Sequence, residues 1–486
     1  MGMLDQIEHV VVLMLENRSF DCMLGRLYPK SEAFDGLSGE ETNPDKDGNP
    51  VGVWNNPDTD RPSMTVPDPD PGELWIDINE QLFGSTQVSS PAPIPDMAGF
   101  VRNYQRQTDK PANAYVPKAV MHYFLPEQVP VMSQLARQFA VSDRWHASAP
   151  CQTWPNRFFV HTGTANGYEN NSPPHFPYEM PTIYDRFERL QIDNGWKIYF
   201  HDVPQTLTLA QLWRHLGKFR PYEAFRDDAK AGTLPKYSFI EPRYFTDVDL
   251  PNDQHPPHDV TLGEQLIADV YNCLRSGPRW LQTLLIITYD EHGGCFDHVP
   301  PPAAVPPGTT QTQPFTFDRY GVRVPAVIVS PFIRPGSVVR PPGTIPYDHT
   351  SILATLRKRF NLGLPLSDRD AVAPDLEAVL TLESPDNLGP DRLEALPYVA
   401  TSGELSQAKA MPLNGMQKSL LDLANWLPAD NQDIDGHIER LRAAEEVTLD
   451  EFTRTAADIG KDISAAVSSA KTTLGKLFIG SDHSYR

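Results

Sequence analysis

Two long apolar runs constrain the fold of this chain more than any other feature of its sequence. The first is VVVLML at 10–15, and the second is TLLIITY at 283–289. Runs of this kind are typical of central strands that are buried on both faces of a parallel sheet. VPAVIVSPF and YSFIEPRY predict further strands, and GEQLIADVYNCLR and DHTSILATLRKRFNLG predict helices, the last ending at Gly363. This alternation predicts an α/β fold with a mostly parallel sheet between layers of helices.

The rest of the sequence divides the chain into a body and a tail. We predict a catalytic body at 1–400 and a helical tail at 401–486. Within the body, 40–96 is rich in Pro, Asp, Asn and Gly, and 168–235 is rich in aromatic residues and Pro, so both are predicted loop insertions. In the tail, apolar residues recur every three or four positions at 449–478, which predicts one amphipathic helix. It would pack on the body, on a partner or second copy, or on a membrane surface.

Charge and composition exclude several classes of partner. The 486 residues include 63 acidic and 42 basic side chains, a formal net charge of -21. This excess disfavours nucleic acid or an anionic membrane as the main partner, but not a neutral phospholipid or a small phosphate ester. No segment resembles a membrane-spanning helix or a cleavable signal peptide, and four cysteines make no disulfide framework. We therefore predict a cytoplasmic protein, or one exported without a signal peptide.

Both long strands end in residues that can bind a metal ion. Glu16 and Asn17 follow the first strand, and Asp290, Glu291 and His292 follow the second. Ligands bind at the carboxyl ends of the strands in such sheets, so these residues are expected to meet. Alone, Glu16 would suit a helix start and Asp290 a turn, but carboxylates at both strand ends favour a shared metal site. Oxygen donors suit a divalent cation, and Ca²⁺, Mg²⁺, Mn²⁺ and Zn²⁺ all remain open.

The segment CQTWPNR carries a candidate nucleophile. Pro155 predicts a helix start, which would place the Thr153 hydroxyl beside free backbone N–H groups that bind anions. A cation would activate this hydroxyl, and Asn156 and Arg157 would contact phosphoryl oxygens. A plain helix cap remains the alternative for Thr153. The segment also fits the cysteine-phosphatase spacing, but Pro155 removes an N–H donor and no glycine permits the tight loop, so Cys151 is predicted to be structural.

Histidines cluster in the second half of the chain. A leaving alkoxide needs a general acid, and histidine suits that role near neutral pH. Asp259 or Asp297 could orient the histidine that does this. The candidates are His255, His258, His292 and His349.

These motifs together resemble the phosphoesterase family that contains non-specific phospholipases C, phosphatidylcholine-preferring phospholipases C and a branch of acid phosphatases. The resemblance is carried by IEHVVVLMLENRSFD, MAGFVRNY, FAVSDRWHASAPCQTWPNRFFVHTGTANG, NDQHPPHDVTLGEQLIADVY and TYDEHGGCFDHVPPP. It implies an alkaline-phosphatase-like three-layer fold and a divalent metal. It also implies metal ligation by Glu16, Asn17, Asp290 and Glu291, and a covalent phosphoryl intermediate on Thr153.

Two departures from that family bear on substrate choice. Many relatives have histidine where this chain has Glu73, and more often an aromatic residue at Cys295. If that histidine serves the reaction, Glu73 substitutes for it or the role has moved. We predict that Glu73 and His349 join Asn156 and Arg157 in binding the substrate.

The resemblance predicts a phospholipase C that cleaves the glycerol-side phosphodiester of phospholipids. Threonine at position 153 favours the phospholipase branch, because the resemblance implies serine at the nucleophile position of the acid phosphatase branch. A broad-specificity acid phosphatase is the alternative enzyme. A third reading is a binding protein without activity on the same scaffold, which the retained metal-site carboxylates disfavour.

Overall fold

An eight-stranded sheet forms the centre of the computed structural model, which describes residues 2–88, 93–108, 110–171, 178–246, 249–308, 315–411 and 413–426. Its strand order is β11-β4-β10-β9-β1-β8-β6-β7, and β5 with β12 and β2 with β3 form two small sheets. The strands are β1 (His9–Leu15), β2 (Thr42–Pro44), β3 (Pro50–Gly52), β4 (Ala140–Val141), β5 (Trp145–His146), β6 (Trp196–Phe200), β7 (Phe219–Pro221), β8 (Tyr237–Glu241), β9 (Thr283–Tyr289), β10 (Ala326–Val329), β11 (Ser337–Val338) and β12 (Tyr347–Asp348).

The central sheet is mostly parallel. β1 lies between β8 and β9 and is parallel to both, and β6 and β7 continue in the same direction. Only β10 runs antiparallel to its neighbours in this sheet. Every residue of β1 and β9 is buried, so both faces of the sheet are covered there. The predicted α/β fold with a mostly parallel sheet is confirmed.

Helices precede and follow these strands along the chain. They are α1 (Phe20–Leu24), α2 (Arg61–Met64), α3 (Trp75–Phe83), α4 (Phe100–Tyr104), α5 (Pro130–Gln138), α6 (Thr153–Thr162), α7 (Ile183–Arg189), α8 (Tyr222–Ala231), α9 (Val260–Ser276), α10 (Thr350–Phe360), α11 (Asp368–Val372), α12 (Ser402–Ala410) and α13 (Gly415–Trp426). α6 ends at Gly163, which has φ of 75° and so provides a left-handed cap. α10 ends before Asn361, whose φ is 52°, and not at Gly363 as predicted.

The two segments predicted as loop insertions differ from each other. Residues 40–96 contain the hairpin β2–β3 and the helices α2 and α3, joined by irregular stretches. Residues 168–235 are not a loop insertion, because they contribute β6 and β7 to the central sheet and carry α7 and α8. Their aromatic residues pack in the core: Trp196 and Tyr199 are buried. The high proline content hid this regular structure from the sequence pattern.

The start of the predicted tail is packed against the body. Met416 and Leu420 of α13 are buried in the main hydrophobic core. The Gln417 side-chain amide donates to the Tyr244 carbonyl at 2.7 Å. The amphipathic helix predicted at 449–478 lies outside the described residues. Among the described residues, no helix is both long enough and apolar enough to cross a membrane.

Candidate active site

The ends of β1 and β9 bring the predicted metal ligands together. Leu15 and Tyr289 are paired in register, so the residues that follow them lie side by side. The Asn17 backbone N–H donates to Asp290 Oδ1 at 3.1 Å, and Asn17 itself has φ of 53°. Glu16, Asn17, Asp290 and Glu291 are all buried. Four oxygen-bearing side chains therefore lie at one edge of the sheet.

Thr153 faces this group of oxygens from the first turn of α6. Its Oγ1 lies 3.4 Å from Glu16 Oε2 and 3.5 Å from Asn17 Oδ1, and the residue is fully buried. The N-cap of α6 is Gln152, so the Thr153 hydroxyl is not used to cap the helix. The hydroxyl is directed at the strand-end oxygens.

The site holds more acidic groups than the one arginine beside it can balance. Arg157 Nη2 donates to Glu16 Oε1 at 2.5 Å, and its Nε lies 3.6 Å from Asp290 Oδ2. Burial, with the nearby Asp290 carboxylate, raises the pKa of Glu16 and of Glu291 well above the usual value. Asp290 Oδ2 and Glu291 Oε1 are buried and have no hydrogen-bond partner among the described residues. Such orphaned carboxylate oxygens fit a bound cation, since burying them otherwise is costly.

Asn156 and Arg157 have different surroundings. The Asn156 amide donates to the carbonyls of Ala149 and Cys151, at 3.1 and 2.7 Å, and its Oδ1 accepts from the Ala149 N–H. This side chain therefore shapes the turn that leads into Thr153. Arg157 Nε and Nη1 make no hydrogen bond within the described residues, although acids lie near them. These N–H groups are positioned to donate to an anion.

Cys151 is enclosed next to the same turn. It is fully buried, and burial raises the pKa of its thiol well above the usual value. A thiol in these surroundings is a poor nucleophile. The structural role predicted for Cys151 agrees with this environment.

Glu73 and His255 lie on the other side of Asn17. The Asn17 side-chain amide donates to Glu73 Oε1 at 2.5 Å, and that oxygen is 3.3 Å from His255 Nε2. His255 Nδ1 lies 2.7 Å from the carbonyl of Pro256. Asp70 completes this group, with Oδ1 3.7 Å from His255 Nδ1.

His258 has an acidic partner that orients its ring. Its Nδ1 lies 2.6 Å from Asp253 Oδ1, and 17% of its side chain is exposed. The two acids considered from the sequence have other partners. Asp259 accepts from the Thr261 N–H at the start of α9, and Asp297 accepts from Arg323. The prediction that one of these two orients a candidate histidine is therefore wrong, because Asp253 takes that place.

His292 and His349 support the end of β9. His349 Nε2 donates to the Asp290 carbonyl at 2.6 Å, and burial lowers the pKa of this imidazole to about 4. His292 contacts Glu291 Oε2 at 3.1 Å and Gln81 Oε1 at 2.8 Å. Both rings are buried. These contacts hold the strand-end acids in place.

Sequence reasoning missed three polar residues at this edge. Gln205 donates to Glu16 Oε1 at 2.7 Å, and Glu241, at the end of β8, lies 3.9 Å from Arg157 Nη1. Glu241 ends a predicted strand, so the strand-end rule could have found it. Asp253 stands inside the quoted motif NDQHPPHDV, five residues before His258. No sequence signal marks Gln205, which comes from 168–235.

The chain is a hydrolase of phosphate esters with an α/β architecture, as its family shows. The chain belongs to the Phosphoesterase family, whose family model matches residues 7–363. It is 40% identical to non-specific phospholipase C1 of Arabidopsis thaliana over 445 residues, which cover 87% of this chain and 80% of that protein. It is 29% identical to phospholipase C A of Mycobacterium tuberculosis, with 79% of each protein covered. The family resemblance predicted from the motifs is confirmed.

Two solved structures match this chain at low sequence identity. One is titled "Crystal structure of Ps i-CgsB", with a TM-score of 0.35, 13% identity, and 53% of this chain and 72% of that one covered. A protein of the alkaline phosphatase superfamily from Vibrio parahaemolyticus has a TM-score of 0.31 and 12% identity, with 51% and 63% covered. TM-scores this low do not define a shared fold in detail.

Proposed function

We propose that this chain is a phospholipase C that hydrolyses the glycerol-side phosphodiester of phospholipids. The relatives named phospholipase C support this over most of the chain. The observation that carries the proposal is the position of the buried Thr153 hydroxyl. Its Oγ1 lies 3.4 Å from Glu16 Oε2 and 3.5 Å from Asn17 Oδ1. Oγ1 attacks phosphorus and passes its proton to Glu16 Oε2, the bond to the glycerol oxygen breaks, and diacylglycerol leaves. Water then cleaves the phospho-threonine and releases the phosphorylated headgroup.

The donor set fits a divalent cation held by Glu16, Asn17, Asp290 and Glu291. Support comes from one buried carboxylate oxygen each of Asp290 and Glu291, which make no hydrogen bond in the part of the chain that the structure describes. A cation there would lower the pKa of the Thr153 hydroxyl and screen the charge of the phosphate. Ca²⁺, Mg²⁺, Mn²⁺ and Zn²⁺ remain open, since all accept oxygen ligands.

Arg157 and His258 supply the remaining roles in this proposal. Arg157 binds phosphoryl oxygens through Nε and Nη1, which make no hydrogen bond within the protein as described. His258 protonates the glycerol oxygen as it leaves. It is oriented by Asp253 and partly exposed, whereas His292 and His349 are buried against the strand end. Histidine with a carboxylate partner is well suited to such proton transfer.

The decisive assay compares a diester with a monoester. Purified protein is tested on p-nitrophenyl phosphorylcholine and on p-nitrophenyl phosphate, before and after EDTA and with metal added back. We expect cleavage of the diester that EDTA removes and added metal restores. Phosphatidylcholine vesicles then test the lipid itself. The Thr153→Ala protein is the matched control for background hydrolysis.

Other outcomes would change the assignment. Cleavage of the monoester alone would make the protein an acid phosphatase and would implicate Glu73 and Cys295, the two family departures. Activity on neither ester, with full metal content, would favour a binding protein on this scaffold. Diester cleavage that resists EDTA would remove the cation from the mechanism.

A further inference from the structure

A second group of metal-ligand side chains adjoins the proposed catalytic site. Asp70, Glu73 and His255 each offer one ligand atom, and these atoms all lie within 4.8 Å of one another. Glu73 is 8% exposed and His255 is 1% exposed. The group includes Glu73, at a position where the family resemblance predicts histidine.

The orientation of His255 leaves a buried ring nitrogen facing the Glu73 carboxylate. Nδ1 lies 2.7 Å from the Pro256 carbonyl, which can only accept, so Nδ1 carries the proton. Nε2 is buried, makes no hydrogen bond with any residue that the structure describes, and lies 3.3 Å from Glu73 Oε1. A lone pair on Nε2 then faces a carboxylate oxygen. This contact is unfavourable unless a positive charge binds both atoms.

The spacing of the two atoms suits a metal ion. Zn²⁺ holds nitrogen and oxygen ligands at about 2.0–2.1 Å in tetrahedral geometry, which places two ligand atoms about 3.3 Å apart. Glu73 Oε1 and His255 Nε2 are separated by 3.3 Å. Two carboxylates with one imidazole suit Zn²⁺ or Mn²⁺ better than Ca²⁺.

We propose that Asp70, Glu73 and His255 bind a second divalent cation. This rests on the proposed function, in which Glu16, Asn17, Asp290 and Glu291 bind the first. Three protein ligands leave a coordination position open for water or a substrate oxygen. Paired metal ions stabilise both the attacking and the leaving oxygen in phosphoryl transfer.

Asn17 connects the second group to the nucleophile. Its side-chain amide donates to Glu73 Oε1 at 2.5 Å, while its Oδ1 lies 3.5 Å from Thr153 Oγ1. The second cation would therefore be separated from the nucleophile by one side chain. A metal ion on Nε2 would leave His255 only its Nδ1 proton, which is bonded to the Pro256 carbonyl, so the role of general acid falls to His258.

Metal stoichiometry tests this proposal without relying on turnover. Protein stripped with EDTA is titrated with Zn²⁺ and, separately, with Mn²⁺ by calorimetry, and bound metal is counted by mass spectrometry after gel filtration. We expect two classes of site in the unaltered protein. Glu73→Gln and His255→Gln should each lose the metal ion of the second site and keep that of the first. Asp290→Asn should lose the metal ion of the first site and keep that of the second. Glu169→Gln, a glutamate equally buried outside this group, should keep both.

The outcomes separate the two proposals. If the unaltered protein binds a single metal ion and Glu73→Gln still binds it, the second site is overturned and the first is kept. That result would indicate a proton shared between Glu73 and His255. Binding of no metal by the folded, unaltered protein would overturn both sites. Circular dichroism shows whether each variant is folded. Asp70→Asn, at the more exposed ligand, replaces His255→Gln if that variant does not fold.

Discussion

Thr153 is the single residue on which the proposed chemistry depends. Its hydroxyl is not engaged as a helix cap and lies among the strand-end oxygens. We expect Thr153→Ala to lower kcat on p-nitrophenyl phosphorylcholine at least about a thousandfold, because the nucleophile is lost. Melting temperature and bound metal should be unchanged. Rapid acid quenching and mass spectrometry of the unaltered protein should detect phosphate on Thr153.

A second threonine of the same helix provides the control. Thr162 is also buried in α6, but its hydroxyl bonds to the carbonyls of Phe158 and Thr164. Thr162→Ala should keep turnover within a fewfold of the unaltered protein. Substantial turnover by Thr153→Ala would remove Thr153 from the mechanism.

The role of His258 can be tested through the leaving group. p-Nitrophenolate leaves without a proton, whereas a glycerol alkoxide requires one. We therefore expect His258→Gln to lower kcat on phosphatidylcholine about 10²–10⁴-fold, and to lower it much less on p-nitrophenyl phosphorylcholine. Asp253→Asn should show the same difference between the two substrates, but a smaller one, because Asp253 only orients the His258 ring. Equal losses on both substrates would argue against proton donation by His258.

The proposed metal ligands could be predicted from the sequence because they follow recognisable strands. Other residues of the site lack such a signal. Glu16 and Asp290 follow strands whose apolar runs are unmistakable, and parallel strands end at one edge. Gln205 reaches Glu16 from a short 3₁₀ turn that has no such signal. Asn156 was expected to bind phosphate, but its amide is bonded to nearby carbonyls. Contacts inside an irregular turn cannot be derived from residue spacing.

Helix α5 depends on a carboxylate from another helix. Glu264 of α9 accepts from the N–H groups of Val131 and Met132 at the start of α5, at 2.6 and 3.2 Å. Free N–H groups at a helix start favour an acceptor of this kind. Burial nevertheless raises the pKa of Glu264 to about 8, despite these bonds.

This raised pKa predicts a dependence of stability on pH. Between the ordinary pKa of glutamate and about 8, the folded protein keeps a proton that the unfolded chain has lost. The contribution of Glu264 to the free energy of unfolding is therefore largest at low pH and falls as pH rises through that window. We expect Glu264→Gln to flatten the decline of melting temperature across this range. Parallel curves for the two proteins would contradict the prediction.

The strands show where sequence reasoning about elements succeeds. Apolar runs identified β1, β8, β9 and β10, since buried strands leave a strong pattern. The sequence also predicts a strand near 139–142, where β4 lies, but the two-residue strand β11 carries too little sequence to be recognised. The reversed direction of β10 follows from its pairing with β9 and β4, which are remote in sequence. Pairing of this kind is set by tertiary packing.

At the scale of the whole molecule, the start of the tail is part of the body. Met416 and Leu420 are buried in the main core, and full burial of such side chains contributes about 1.5–3 kcal/mol each. Gln417 bonds to the carbonyl of Tyr244, and the Tyr244 hydroxyl donates to Glu241 at 3.0 Å. Glu241 in turn lies 3.9 Å from Arg157. Residues 413–426 therefore support the edge of the sheet that carries the site.

Two truncated proteins distinguish this support from a role in lipid contact. The chain ending at 400 should melt at a lower temperature and lose turnover of the soluble diester, because it exposes the core under α13. The chain ending at 426 should keep both. If residues 427–486 contact lipid, the chain ending at 426 should lose activity on phosphatidylcholine vesicles. Sedimentation with vesicles should then show that this protein no longer binds them. Full vesicle activity and binding in that protein would exclude lipid contact by residues 427–486, and insolubility would show that they complete the core.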